Sequence, residues 1–307
     1  RLVGSEMCIR DRIKVSQMKI LEWYRAYNGQ VFTSFSGGKD STVLLDLARQ
    51  VCPDIPAVYV DTGLEYPELR DFVKTKDNVI WLLPRYPYTQ ILEKYGYPVI
   101  SKDISDVISG ARKGQPYRLA RLNGESLDKN GKKSIYNCEK YKYLLDAPFA
   151  ISARCCYYMK KAPLNKFERQ SGRHPITGVL ACESKLREQS YLKFGCNGYE
   201  RRRPLSQPLA FWREEDILRY LRMTGIPYTP IYGDIGEVKK RNGALTLKTT
   251  GVSRSGCMYC MYGVHLEHEP NRFQLMEKTH PQQYHYCIHE LGLGAVLDYI
   301  GVPYSCR

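Results

Sequence analysis

The sequence has no run of apolar residues approaching the roughly 18 that a membrane-spanning helix needs, and no signal-type apolar segment opens it. It shows no internal repeat and no Walker-type phosphate motif, which requires four residues between its glycines. Acidic residues are in deficit, 32 against 46 Lys and Arg, for a net charge of +14. These absences exclude a helical membrane protein, a solenoid and an ordinary P-loop NTPase. They make a cytoplasmic protein without membrane partners the expectation. Cysteine, by contrast, is plentiful. Eleven cysteines in 307 residues without a secretory segment point to metal or redox chemistry rather than a disulfide scaffold.

The chain does not begin with Met, and residues 1–12 read as a non-native leader. After it, Ser16 to Tyr27 has the spacing of an amphipathic helix, with Met18, Leu21, Trp23 and Tyr24 on its apolar positions. Gln30 to Phe35, Ala57 to Val60 and Val79 to Leu83 read as strands. Thr42 to Val51 and Tyr66 to Val73 alternate with them as helices. That alternation predicts an α/β fold with a doubly wound parallel sheet. Further on, Ile104, Val107, Ile108 and Ala111 share a helical face, and Gly114 to Lys133 reads as a long polar loop. Pro175 to Leu180 is a strand, and Glu183 to Lys193 and Arg213 to Met223 are helices. Regular signals weaken from Gly233. The expected division is therefore a nucleotide-binding domain over 13–232 and a small cysteine-bearing C-terminal module over 233–307.

The excess of positive charge is concentrated. Between Arg112 and Arg173 there are fifteen Lys and Arg against five Asp and Glu, interleaved with six tyrosines. Such a mixture can track a phosphate backbone and stack on bases, so tRNA or DNA is a candidate partner; a solvated surface is the plain alternative.

Two motifs carry chemistry. In the first, a strand runs into Ser36-Gly37-Gly38-Lys39-Asp40-Ser41 and a helix follows. Adjacent glycines let the backbone turn tightly and bring amide N–H groups onto phosphate oxygens. The helix start adds its positive end, and Lys39 a mobile charge. The loop resembles the SGGxDS motif of the ATP pyrophosphatase (PP-loop) superfamily, an adenine nucleotide alpha hydrolase-like fold that splits ATP between its α and β phosphates. The resemblance implies an adenine nucleotide as ligand, with magnesium. Lys39 and Asp40 are then the candidate catalytic pair, and Asp61, ending the next strand, a further nucleotide-binding residue.

The second motif is two cysteine pairs, Cys155-Cys156 and Cys257-x-x-Cys260, separated by 100 residues. Four thiolates suit zinc or an iron–sulfur cluster. Successive side chains diverge, which favours the larger cluster over one small ion. Zinc with His265 or His268, and plain buried thiols, stay open. Cys52, Cys138, Cys182, Cys196 and Cys306 read as structural thiols, and His285-x-Cys287-x-His289 as a weaker ligand set.

The segments Ala153 to Leu164, Arg203 to Leu205 through Trp212, Asp216 and Tyr228, and Ser255 to Cys260 are similar to stretches of the iron–sulfur sulfonucleotide (APS/PAPS) reductase family. That resemblance implies a 4Fe–4S cluster on Cys155, Cys156, Cys257 and Cys260. It also marks Gly178 to Arg187 as a substrate stretch, with Glu183, Ser184 and Arg187 as nucleotide-binding residues. Ala181 stands near a position where the family commonly has Arg.

Three functions follow as expectations. The first is ATP-dependent sulfur transfer to a nucleic acid or other anionic substrate, favoured by the complete loop. The second is reduction of adenylyl sulfate with release of sulfite. The third is a cluster-bearing regulator without turnover. An electron- or sulfur-donor protein is implied by either enzymatic reading. The reductase tail, Glu-Cys-Gly-x-His, has only Tyr286-Cys287-Ile288-His289 as its nearest match, with Cys306 as another tail thiol.

Overall fold

The structure, a computed structural model, describes residues 7–240 and 243–306. Its strands in chain order are β1 (Val31–Ser34), β2 (Ala57–Val60), β3 (Val79–Leu82), β4 (Val99–Ile100), β5 (His174–Thr177), β6 (Asn197–Gly198), β7 (Leu205–Ser206), β8 (Ile235–Lys239), β9 (Leu245–Thr249) and β10 (Met261–Tyr262). The chain forms two compact units, each discontinuous in sequence: residues up to 83 with 163–256, and 84–162 with 257 onward.

In the first unit six strands form one sheet in the order β3-β2-β1-β5-β7-β6. All neighbouring pairs are parallel except β6 on β7. β1 is central and wholly apolar in its first two positions, Val31 and Phe32 being fully buried. This burial on both faces is what a covered parallel sheet requires. The chain leaves β1 outward to β2 and β3, then returns to β5 on the other side of β1. The β1/β5 boundary is therefore the topological switch point, where the segments after the two strands diverge and leave a crevice.

One helix begins earlier than the periodicity indicates. It spans Ile9–Ala26, and its inner face is Arg12, Ser16, Ile20 and Trp23. Arg12 donates to the Phe211 carbonyl at 2.7 Å, and Ser16 Oγ bridges Trp212 Nε1 and the Pro208 carbonyl, each at 2.9 Å. Polar residues inside a buried face hid that first turn. Met18, assigned to the apolar face, is exposed instead. Of the leader, residues 1–6 lie outside the described residues, whereas 9–12 are part of this helix.

The domain division also differs from the consecutive one. β8 and β9 pair antiparallel, Ile235 opposite Thr249 through Lys239 opposite Leu245, and this hairpin belongs with the sheet unit. Thr246 Oγ1 donates to Glu215 at 3.2 Å, and Arg222 pairs with Glu237 at 2.8 Å, tying the hairpin to the helix Glu214–Thr224.

The second unit is joined by a ladder that no local pattern reveals. β4 pairs parallel with β10, Val99 opposite Met261 and Ile100 opposite Tyr262. Residues 84–162 and the chain end thus share backbone hydrogen bonds. The helix Lys102–Ala111 buries Ile104, Val107, Ile108 and Ala111, and Ser101 caps it by accepting from the Ile104 amide. Within the stretch expected to be a loop, Pro116–Asn123 is a helix, with Pro116 in its first turn and Gly124 in the left-handed conformation that ends it. Its basic residues masked the buried Leu122.

Candidate functional site

The glycine loop leaves β1 at its C-terminal end, and the Gly178–Arg187 stretch leaves β5 at the same end of the sheet. The two segments flank the switch point. An added Cβ on Gly178 would come within 2.9 Å of the Asp40 carbonyl, so the second segment passes against the first turn of the loop helix, Lys39–Val51.

Inside the loop the hydroxyls of Ser36 and Ser41 lie 3.1 Å apart. The amide of Ser36 donates to Ser41 Oγ at 3.2 Å, and Ser41 Oγ donates to the Gly38 carbonyl at 2.8 Å. Thr42 Oγ1 donates to the same carbonyl at 3.0 Å. These bonds hold the turn in the absence of a side-chain cap at Gly38. Gly37 has φ +73°, and a Cβ there would sit 2.8–2.9 Å from Leu69 and Val73, so position 37 admits only glycine without strain. Gly38 is needed for approach, since its Cβ would stand 2.6 Å from Ser255 Oγ.

Lys39 is not the mobile charge expected of it. The residue is 5 % exposed, with Nζ 2.9 Å from the Ser253 carbonyl and 3.1 Å from Glu214 Oε1. The Tyr232 ring lies 5.1 Å below it. The Lys39 amide, the first N–H of the helix, donates to the Tyr232 hydroxyl at 3.2 Å; that hydroxyl in turn donates to Ser255 Oγ at 2.7 Å. Asp40 is largely buried, and its Oδ1 has no hydrogen-bond partner. Burial raises its pKa above the ordinary carboxylate range, Glu214 adds to the rise, and Lys39, Arg254 and Arg187 oppose it.

Asp61 sits at the end of β2, buried, but it is engaged. Arg70 donates to Oδ2 at 2.8 Å from Nε and 2.7 Å from Nη2, and the Gly63 amide approaches Oδ1 at 3.3 Å. Ser184 is the N-cap of the helix Lys185–Phe194 and accepts from the Arg187 amide at 3.3 Å. Glu183 pairs with Arg187 one turn on and lies 3.9 Å from Arg254.

Sequence reasoning missed Tyr232, Glu214, Ser253, Arg254 and Ser255. Its one available signal was Arg254-Ser255 just before the second cysteine pair. Nothing local marks Tyr232, which reaches the loop from a 3₁₀ turn at Pro230–Tyr232.

The four paired cysteines all fall in the second unit and come into each other's electrostatic range. The buried hydroxyl of Tyr88 is held protonated by desolvation and then by the charges of Cys155, Cys260, Cys257 and Cys156 around it. A hydrogen bond between Cys155 and Cys156 splits the pair. Cys155 is raised by that bond and by burial. Cys156 is lowered by the bond and, despite burial, by Lys160, Lys102 and Lys161. The Cys260 amide donates to the Cys257 carbonyl at 3.2 Å, and Arg272 holds the Cys260 carbonyl at 2.9 Å. Among the described residues no three Cys, His, Asp or Glu side chains close tightly enough to hold a single metal ion. His265 is half-buried with Nδ1 unpartnered, and His268 is exposed.

The weaker ligand set does not form. Cys287 is fully buried and its thiol is pushed up to about 12 by desolvation, while His285 and His289 are exposed. Of the remaining thiols Cys52, Cys138 and Cys196 are buried as expected; Cys182 is exposed and Cys306 half-buried. Much of the basic stretch is structural. Arg112 donates to the carbonyls of Leu144, Leu145, Ala147 and Phe149, and Arg121 is buried against Asp103. Arg118 pairs with Asp106 and Lys133 with Glu139.

Among the described residues no helix is long and apolar enough to cross a membrane. The phosphoadenosine phosphosulfate reductase domain model matches residues 30–80 and 87–261. An adenosine 5'-phosphosulfate reductase of Staphylococcus epidermidis (strain RP62A) is 27% identical over 236 residues, 74% of this chain and 75% of that protein. One from Geobacillus kaustophilus (strain HTA426) is 28% identical over 222 residues, 70% of this chain and 73% of that protein. The crystal structure of a phosphoadenylyl-sulfate reductase from Candida auris aligns with 76% of this chain and 95% of its own at 14% identity and a TM-score of 0.42. With the family model covering most of its length, this α/β chain is an enzyme that belongs to the phosphoadenosine phosphosulfate reductase family of the PP-loop superfamily.

Proposed function

We propose that the enzyme is a sulfonucleotide reductase that binds adenylyl sulfate at the glycine loop. The observation that carries this reading is the match to adenosine 5'-phosphosulfate reductases over about three quarters of this chain and of theirs. The loop at the switch point supports it, because helix N-termini and glycine turns there receive the phosphate of a nucleotide. In the reaction a cysteine thiolate attacks the sulfur of adenylyl sulfate, an S–S bond forms and the S–O bond breaks. AMP leaves with the electron pair. A thiol donor then attacks the cysteine sulfur and releases sulfite, leaving a disulfide. Cys287, buried and hard to ionise, is a poor nucleophile. Cys306, half-buried near the surface, is the candidate.

Four thiols gathered in one unit, with Lys102, Lys160, Lys161 and Arg272 acting on them electrostatically, make a donor set suited to a 4Fe–4S cluster, whose negative charge those cations would offset. Cys155, Cys156, Cys257 and Cys260 would hold it, and it would supply a redox-active tie between the two cysteine pairs. Asp40, with a buried unpartnered oxygen, would meet magnesium if the nucleotide carries it.

A second reading, ATP-dependent sulfur transfer, is favoured by one observation: the loop keeps every residue of the ATP-splitting motif. A polyanionic acceptor would then meet the exposed Lys113, Lys129, Lys132, Lys140 and Lys142 rather than the structurally engaged arginines. Turnover decides between the two. With adenylyl sulfate and a dithiol, anaerobically prepared enzyme should release sulfite and AMP in equal amounts, and Cys306→Ser should abolish it. AMP and pyrophosphate from ATP, with no sulfite from adenylyl sulfate, would establish sulfur transfer instead.

A further inference from the structure

We propose that Arg254 is a specificity-determining residue that receives the terminal anion of the bound nucleotide, the group beyond its α-phosphate. This deepens the reading that the glycine loop binds an adenine nucleotide, and rests on it.

The residues on either side of Arg254 are tied to the loop. The Ser253 carbonyl accepts from Lys39 Nζ at 2.9 Å, and Ser255 Oγ accepts from the Tyr232 hydroxyl that itself caps the Lys39 amide. The backbone between these anchors is therefore fixed at the rim of the phosphate turn. Its side chain is nonetheless 74% exposed, and its ion-pair contact is a long one, 3.9 Å to Glu183. Glu183 is already bound to Arg187, so one carboxylate serves two guanidiniums. Lys39 is occupied by Glu214 and Ser253, and Asp40 feels both Arg254 and Arg187. Of the cations at the loop among the described residues, Arg254 is the one held in place by its backbone yet bound loosely through its head group. A guanidinium in that position matches the oxygen face of a sulfonate or phosphate, which it can engage through two N–H groups, whereas a carboxylate at 3.9 Å cannot compete well in water.

A sulfonate and a β-phosphate present the same oxygen face, so the ligands must be separated by experiment. Equilibrium binding of AMP, adenylyl sulfate and ATP to the full chain is measured for wild type, Arg254→Ala and Arg254→Lys, with thermal melting as a fold control. Arg254→Ala should weaken adenylyl sulfate, ATP or both by roughly tenfold or more while changing AMP less than about twofold. Arg254→Lys should recover part of the loss. A loss confined to adenylyl sulfate assigns the sulfonate, and one confined to ATP assigns the outer phosphates. If melting falls with Arg254→Ala, Arg254→Gln replaces it, since it retains most of the stem. An equal loss for AMP, or no loss for any ligand, overturns the proposal. If the wild type binds none of the three, the nucleotide reading falls and the role of Arg254 with it. Failure to release sulfite would reject the reductase reading alone, because these binding arms do not depend on turnover.

Discussion

At the scale of single residues, the loop trades stability for chemistry at Asp40. Its carboxylate is mostly buried with one oxygen unpartnered, and its folded-state pKa is raised. A raised carboxylate pKa means that ionisation opposes folding: the penalty is absent below the unfolded value, grows as pH rises, and is complete above the folded value. Asp40→Asn should therefore melt higher than wild type at neutral pH. That advantage should vanish on acidification below the ordinary carboxylate range of about 4. Equal melting at both pH values would mean the carboxylate is solvated or paired. The same change should abolish nucleotide turnover. Lys39→Ala should lower turnover, because it releases Glu214 and the Ser253 carbonyl that Lys39 holds against the loop; an unchanged rate would mean that this anchoring does not shape the site.

At the scale of elements, the strand–loop–helix unit depends on a glycine whose tight turn the sequence marks. Gly37→Ala combines a left-handed backbone with contacts under 3 Å to Leu69 and Val73. We expect a loss of about 2–4 kcal/mol in chemical denaturation, the sum of backbone strain and overpacking. A loss below about 0.5 kcal/mol would mean that the turn is not formed as described. The parallel strands and their helices were legible because buried β-branched runs alternate with 3.6-residue patterns, as at Val31–Phe32 and Ile104 to Ala111. The helix Pro116–Asn123 was not, since Gly114 to Lys133 is polar and rich in Gly and Lys, although Arg121 within it is buried on Asp103. Lys39 was read correctly as a member of the loop and wrongly as mobile, because Ser253, Glu214 and Tyr232 approach it from more than 170 residues away. Contacts of that range leave no local trace.

At the scale of the whole molecule, the two units draw on both halves of the sequence, which is why a cut at residue 233 separated segments that fold together. The β4–β10 ladder brings Cys257 and Cys260 into the unit that carries Cys155 and Cys156. Anaerobically isolated protein should contain about four irons per chain, and Cys156→Ser should lose most of them. Stoichiometric zinc without iron after reconstitution would reject the cluster. The central claim, that this family member attacks adenylyl sulfate with its own thiol, is tested most directly without any reductant. Reduced enzyme is mixed with adenylyl sulfate alone, released AMP is quantified, and the protein is mapped by peptide mass spectrometry. The account predicts a single burst of AMP, at most one per chain, matched by a sulfonate on the Cys306 peptide and absent from Cys287. No burst and no adduct, with ATP cleaved to AMP and pyrophosphate by the same preparation, would contradict it.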